Sequence, residues 1–171
     1  PAPVQELWAE FWLKFSSNFQ TRAPAAWGCT SNPDLKLIFG RLNGVNNRFI
    51  LKVGAGGSEW HAGYPGGPKA EDTYALDPVT YPMSAVWNNT WLRVRLHFKL
   101  SATASSADGA LQLWLGSALV VNGTNLNVHH NGVRPTDLYG LALGRNLNQG
   151  PGQAQSLWWG RIRVYNTNPG W

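Results

Sequence analysis

The chain has 171 residues, of which 43% are apolar and only 13% are charged, against a usual charged share of about 25%. That length suits one domain, expected to span residues 1–171, and the composition excludes a charged disordered tail. Ten Trp, 19 Gly and 11 Pro exclude a long coiled coil, while 14 Lys and Arg against 9 Asp and Glu leave a net charge of +5 and a pI near 9.7.

Period-two alternation dominates from the first element onward. Along Trp8 to Phe15, residues Ala9, Phe11, Leu13 and Phe15 share one face, and Trp8, Glu10, Trp12 and Lys14 share the other, which predicts a strand. Leu35 to Arg41 and Arg48 to Val53 read the same way, separated by the turn signal Asn43-Gly44. Gly63 to Pro82 has no clear period and is expected to be a long loop. Trp91 to Leu100 alternates throughout: Leu92, Val94, Leu96, Phe98 and Leu100 face a core, and Trp91, Arg93, Arg95, His97 and Lys99 face away. After Asp108-Gly109, a strand from Ala110 to Val121 carries Leu111, Leu113 and Leu115 inward, with Gln112 and Trp114 outward. Leu138 to Arg145 and Trp158 to Tyr165 complete the set; in the last, Trp159, Arg161, Arg163 and Tyr165 are expected on one face, opposite Ile162 and Val164. Many short strands with few helical signals predict an all-β fold, an antiparallel β-sandwich or barrel.

The lone Cys29 excludes an intrachain disulfide and is expected to be a packed thiol. No apolar run reaches the 18 to 20 or so residues of a membrane span. No basic-then-apolar leader opens the chain, so a signal peptide is expected to be absent or already removed.

The hairpin formed by the two leucine-rich strands would bring Gln112 and Trp114 among Arg95, His97 and Lys99, and the last strand would add Arg161 and Arg163. Arg145, Arg48 and Lys52 are further basic residues for the same surface if their strands face that way. An ordinary solvated sheet face is the plain alternative. Arginine beside tryptophan suits a flat or anionic polymer, because indoles stack on sugar faces and guanidinium forks grip anionic groups.

These residues resemble a known family. Trp91-Leu-Arg-Val-Arg-Leu-His-Phe-Lys-Leu100, then Asp108-Gly-Ala-Leu-Gln-Leu-Trp-Leu-Gly116, then the closing Trp-Gly-Arg-Ile-Arg-Val-Tyr strand are similar to concanavalin A-like lectin/glucanase jelly rolls, in their laminin-G-like and polysaccharide-lyase-like branches. The opening Leu7-to-Phe19 stretch resembles the early strand of such lyases. The resemblance implies a jelly roll of two packed antiparallel sheets, the concave one often holding a glycan.

Catalysis is tested by residue type. None of the nine acids forms the Glu-x-Asp-x-x-Glu or Glu-x-Asp-x-Glu motif of the hydrolases on this fold, and adjacent Glu71-Asp72 would point opposite ways on a strand. A lyase needs a cation or amide to neutralise a uronate and a His or Tyr to remove a proton; Arg95, His97, Gln112 and Tyr165 are of those types. The Gln-Ile-His and Tyr-Phe-Lys-Ala-Gly motifs of alginate lyases on this fold are missing. Glu59-Trp60-His61 and His129-His130 match no metal-ligand spacing, so no metal site and no cofactor is expected. The resemblance implies that a calcium site on this fold would use Asp and Asn, for which Asp72, Asp77 and Asp137 are of the right type but nothing selects them. No recognition motif points to nucleic acid.

The leading expectation is therefore a non-enzymatic, lectin-like module that binds a carbohydrate polymer, acidic glycans included, with Arg93, Arg95, His97, Gln112, Trp114, Arg161 and Arg163 as ligand-binding residues. It would serve in surface attachment or virion decoration, at a cell surface or phage capsid, with Trp8 and Trp12 as docking residues. The alternatives are a polysaccharide lyase acting on uronate-containing polymers and a purely structural decoration domain.

Overall fold

The alternation seen along the chain is realised as strands. The computed structural model describes residues 3–19, 35–43, 48–53, 59–63, 79–80, 89–129, 132–147 and 154–171, with the backbone alone for 35, 36, 39, 48–53, 59–63, 79–80 and 145–147. Cys29, Glu71, Asp72, Asp77, His130 and most of the 63–82 stretch lie outside the described residues, as do the side chains of Arg48, Lys52, Glu59, Trp60, His61 and Arg145.

Among the described residues the elements are all strands: β1 Glu6–Phe15, β2 Leu35–Leu42, β3 Arg48–Val53, β4 Glu59–Gly63, β5 Val79–Thr80, β6 Trp91–Lys99, β7 Gly109–Leu115, β8 Ala118–Leu126, β9 Leu138–Leu147 and β10 Leu157–Tyr165. They form two five-stranded sheets, in the orders β10-β1-β6-β7-β8 and β5-β4-β3-β2-β9, with antiparallel pairing throughout. The all-β sandwich expected from the periodicity is the fold observed.

The first sheet is built around β1 and β6. Phe11, Leu13 and Phe15 from β1 are fully buried, against Val94, Leu96 and Phe98 from β6 and Leu111 and Leu113 from β7. Burial of each such side chain contributes roughly 1.5 to 3 kcal/mol, and the pleat turns the intervening residues to the outer face. Leu37, Ile38, Leu42 and Leu138 of the second sheet close the core from the other side.

The strands depart from expectation in three respects. The stretch 110–121 is two strands rather than one, because Gly116-Ser117 turns the chain between Leu115 and its partner Ala118. Gly116 has φ of 62°, a conformation glycine adopts without a Cβ clash, as the first central residue of a two-residue hairpin requires. Strands β4 and β5 are additional, β5 lying inside the stretch expected to be loop. Finally, Arg145 sits on β9 in the second sheet, and so do Arg48 and Lys52 through β3, so none of the three belongs to the sheet that carries β6 and β10.

The register of β10 corrects a face assignment. Tyr165 pairs with Trp8 and Arg163 with Glu10, but beyond the bulge opposite Phe11 the pairs are Trp12 with Gly160, Leu13 with Trp159 and Lys14 with Trp158. Arg161 takes φ of 50° at this bulge, and the extra residue inverts the alternation. Trp159 therefore packs inward, 5.4 Å from Phe11 between ring centres, and Trp158 takes the outer position instead. Ile162 and Val164 remain half exposed, at 49% and 50%, on this edge strand.

Candidate functional site

The outer face of the first sheet is a ladder of cross-strand rungs. From one end these are Trp158-Lys14-Trp91, then Gly160-Trp12-Arg93, Arg163-Glu10-Arg95-Trp114, Tyr165-Trp8-His97-Gln112-Asn122, and last Glu6-Lys99. Antiparallel partners project to the same side, so residues far apart in sequence become neighbours. Six cations (Lys14, Arg93, Arg95, Lys99, Arg161 and Arg163) lie along this face; Arg93 and Arg163 pair with Glu10, and Glu6 is bonded to His97 and Trp8.

His97 organises one half of this face. Its Nδ1 lies 2.9 Å from Gln112 Oε1 and its Nε2 2.8 Å from Glu6 Oε1. Gln112 Nε2 donates to Asn122 Oδ1 at 2.7 Å, and Trp8 Nε1 donates to Glu6 Oε1 at 3.0 Å. The Trp8 indole stacks flat on the imidazole at 3.7 Å, which leaves His97 only 7% exposed. Trp8 is buried in turn, because Trp171, in the segment after β10, stands edge-on to both Trp8 and Trp114 at 5.2 and 5.7 Å.

Glu10 organises the middle. Only 2% exposed, it accepts hydrogen bonds from Arg93, whose Nε donates at 2.7 Å, and from Arg163 Nη1 at 3.3 Å. A buried carboxylate is tolerated when paired and hydrogen-bonded in this way. Neighbouring Arg95 is also buried; its Nη2 donates to the Gly116 carbonyl at 3.2 Å, and its guanidinium lies over the rings of Trp114 and Trp171. Burial lowers the pKa of Arg95 from its ordinary value and repulsion from Arg93 adds to this, while Glu10 acts in the opposite sense.

The other half of the face is open. Trp12, Trp91, Gly160 and Arg161 line a pocket of about 360 Å³. Trp91 is 50% exposed, Arg161 lies over the Trp12 ring at 5.5 Å, and Lys14 lies over Trp158 at 4.6 Å. Gly160 admits the Trp91 ring: a Cβ here would stand 3.2 Å from it.

Of the seven sequence-derived binding residues, Arg93, Arg95, His97, Gln112, Trp114 and Arg163 share three adjacent rungs, and Arg161 lies beside them over Trp12. Trp12 lines the open pocket as an exposed-face residue, whereas Trp8 is enclosed. Sequence reasoning missed the parts played by Glu6, Glu10, Asn122, Trp158 and Trp171. Period-two alternation carries Glu10 to the outer face, but Trp171 follows Asn168-Pro169-Gly170 with no periodicity to orient it.

Both face carboxylates are committed to arginine, indole and imidazole partners, so neither is arranged as half of a hydrolytic pair. Among the described residues no group of three or more His, Cys, Asp or Glu is gathered for a metal ion. The face offers indoles for pyranose rings, guanidinium groups for carboxylates, and a phenol at Tyr165.

This is the fold of the β-sandwich polysaccharide lyases. The chain is similar to an alginate lyase solved in complex with alginate trisaccharide, with a TM-score of 0.59 at 13% identity over 98% of this chain and 73% of that one. It is similar also to an endo-β-1,4-glucuronan lyase from the fungus Trichoderma reesei (TM-score 0.58, 18% identity, 95% of this chain and 69% of that one). An alginate lyase from a Chlorella virus gives a TM-score of 0.54 at 10% identity, over 95% of this chain and 72% of that one. No protein-family model and no curated protein sequence matches the chain. On residues alone a non-enzymatic lectin-like module ranks ahead of a lyase; these structures are all lyases, and that order is reversed.

Proposed function

We propose that this chain is a polysaccharide lyase that cleaves a uronate-containing polymer by β-elimination on the outer face of the first sheet. The observation that carries the proposal is the meeting of Arg95, the Glu6-His97-Gln112-Asn122 chain and Tyr165 on two adjacent rungs, beside tryptophans. The similar structures are named for action on alginate and glucuronan, both uronate polymers, which agrees with a face dominated by cations.

The reaction removes the proton alpha to the carboxylate and expels the glycosidic oxygen, so the new double bond is conjugated with the carboxyl group. Its difficulty is the charge that accumulates on the carboxylate, and Arg95, desolvated and therefore strong as an electrostatic partner, is the group to absorb it. Tyr165 is the proton-transfer residue: its hydroxyl oxygen takes the alpha proton as its own proton passes to the departing glycosidic oxygen. His97 has both nitrogens engaged and its ring covered, so it is a positioning residue that holds Gln112 and Glu6 in line. Trp12, Trp91, Arg93 and Arg161 take the neighbouring sugars along the open half of the face.

The test is Tyr165→Phe on whichever of alginate or glucuronan the wild type cleaves. We expect turnover to fall by at least about 100-fold with polymer affinity changed by no more than about threefold and the melting temperature retained. Full turnover in Tyr165→Phe would refute the assigned proton-transfer residue, and failure of the wild type to cleave either polymer would refute the activity.

A further inference from the structure

Two donors at the centre of the face have no acceptor. Arg95 Nε and Trp171 Nε1 are both buried and without a hydrogen-bond partner among the described residues. They flank one contact, since the Arg95 guanidinium carbon lies 5.1 Å from the centre of the Trp171 ring. Buried polar atoms in native proteins are nearly always paired, and two orphan N–H groups on side chains in contact, one of them a cation, call for an acceptor that a single anion with two oxygens supplies. Arg95 is more than nine-tenths buried and its one hydrogen bond is to a neutral carbonyl, so its charge has no direct counter-ion here.

The surroundings fit a sugar carboxylate better than a free small anion. Trp8 and Trp114 stand 6.3 Å apart with Trp171 edge-on to both, and the Arg95 guanidinium lies over the Trp114 and Trp171 rings, so indole surface borders the arginine. Trp171 is itself carried on an exposed segment: residues 166, 167, 168 and 170 are open to solvent, and a tight turn in which Gly170 N donates to Asn168 Oδ1 at 2.8 Å, with Gly170 at φ of 81°, presents the indole to the face.

We propose that Arg95 and Trp171 form a two-donor clamp for one uronate carboxylate, with Trp171 as the determinant of acidic over neutral sugars. The clamp rests on the lyase reading and names the substrate group that this spot takes. A neutral hexose offers a hydroxymethyl group in that position, which cannot accept from both donors at full strength and leaves the arginine charge unbalanced.

The test compares a saturated tetraglucuronate with its carboxyl-reduced counterpart by calorimetry, in a Tyr165→Phe background so that the acid is not consumed. The background protein should bind the acid at least about tenfold more tightly than the neutral sugar. Adding Trp171→Phe, which keeps an aromatic ring and deletes the N–H, should shrink that preference to about threefold or less while leaving affinity for the neutral sugar unchanged. Arg95→Lys, which keeps the charge and loses Nε, should do the same and decides the matter if the Trp171 variant is misfolded by near-ultraviolet circular dichroism. A preference undiminished in both variants would overturn the clamp and leave the lyase reading standing. No preference for the acid in the background protein would overturn the clamp and the uronate substrate together.

Discussion

Glu10 explains why so basic a face holds together. It lies beneath Arg93 and Arg163 and offsets the repulsion of Arg95 by Arg93, so three guanidinium groups share one rung and its neighbour. Glu10→Gln keeps the shape and removes the charge. We expect it to lower stability by roughly 1 to 3 kcal/mol in urea unfolding, with the loss greatest at low salt, because buried hydrogen bonds to a charged group are then replaced by weaker ones. An unchanged unfolding midpoint would show that the arginines do not depend on it. At this scale the sequence was largely legible along β6 and β7, where each Leu of the core stripe fixes the opposite projection of Arg93, Arg95, His97, Gln112 and Trp114. What alternation could not convey is depth. Glu10 and Trp12 alternate identically, yet one is buried by two arginines and the other lines an open pocket.

Irregularities decide the elements. The Gly116-Ser117 turn had a signal in the sequence, a glycine followed by a small polar residue between alternating apolar runs, but the continuous Leu-Val pattern on both sides masks it. The bulge at Arg161 had none: nothing in Trp-Trp-Gly-Arg-Ile announces an extra residue, and so Trp158 and Trp159 exchange faces relative to strict alternation. The connection between β6 and β7 is held by Asp108, whose carboxylate accepts from the Ala102 amide at 2.9 Å. That bond, first among several causes, lowers the Asp108 pKa. A depressed folded-state value means that Asp108 contributes stability above its unfolded pKa of about 3.9, and that the contribution is lost as pH falls through the lower folded value. Wild type should therefore exceed Asp108→Asn in unfolding midpoint at neutral pH, with the gap closing in acid. A gap independent of pH would contradict this account.

At the level of the whole molecule, the candidate site depends on pairings between distant parts of the chain. Tyr165 and Arg163 reach the face only because β10 pairs with β1, and Gln112 reaches His97 only through the β6–β7 register. Periodicity supplies faces but not neighbours, which is why the residue types for elimination were recognisable while their assembly was not. The same gap let a binding module rank ahead of an enzyme, since one sandwich serves both and the difference lies in a few side chains. The modest net charge of +5 is concentrated, with six cations on one sheet face among the described residues. The central claim is that this face eliminates across a uronate linkage, and following ultraviolet absorbance during incubation of the wild-type protein with alginate and with glucuronan tests it most directly. Absorbance from new unsaturated uronate ends should rise with time on at least one polymer and not with Tyr165→Phe. Polymers that stay intact, or that shorten to saturated ends with no rise in absorbance, would contradict it.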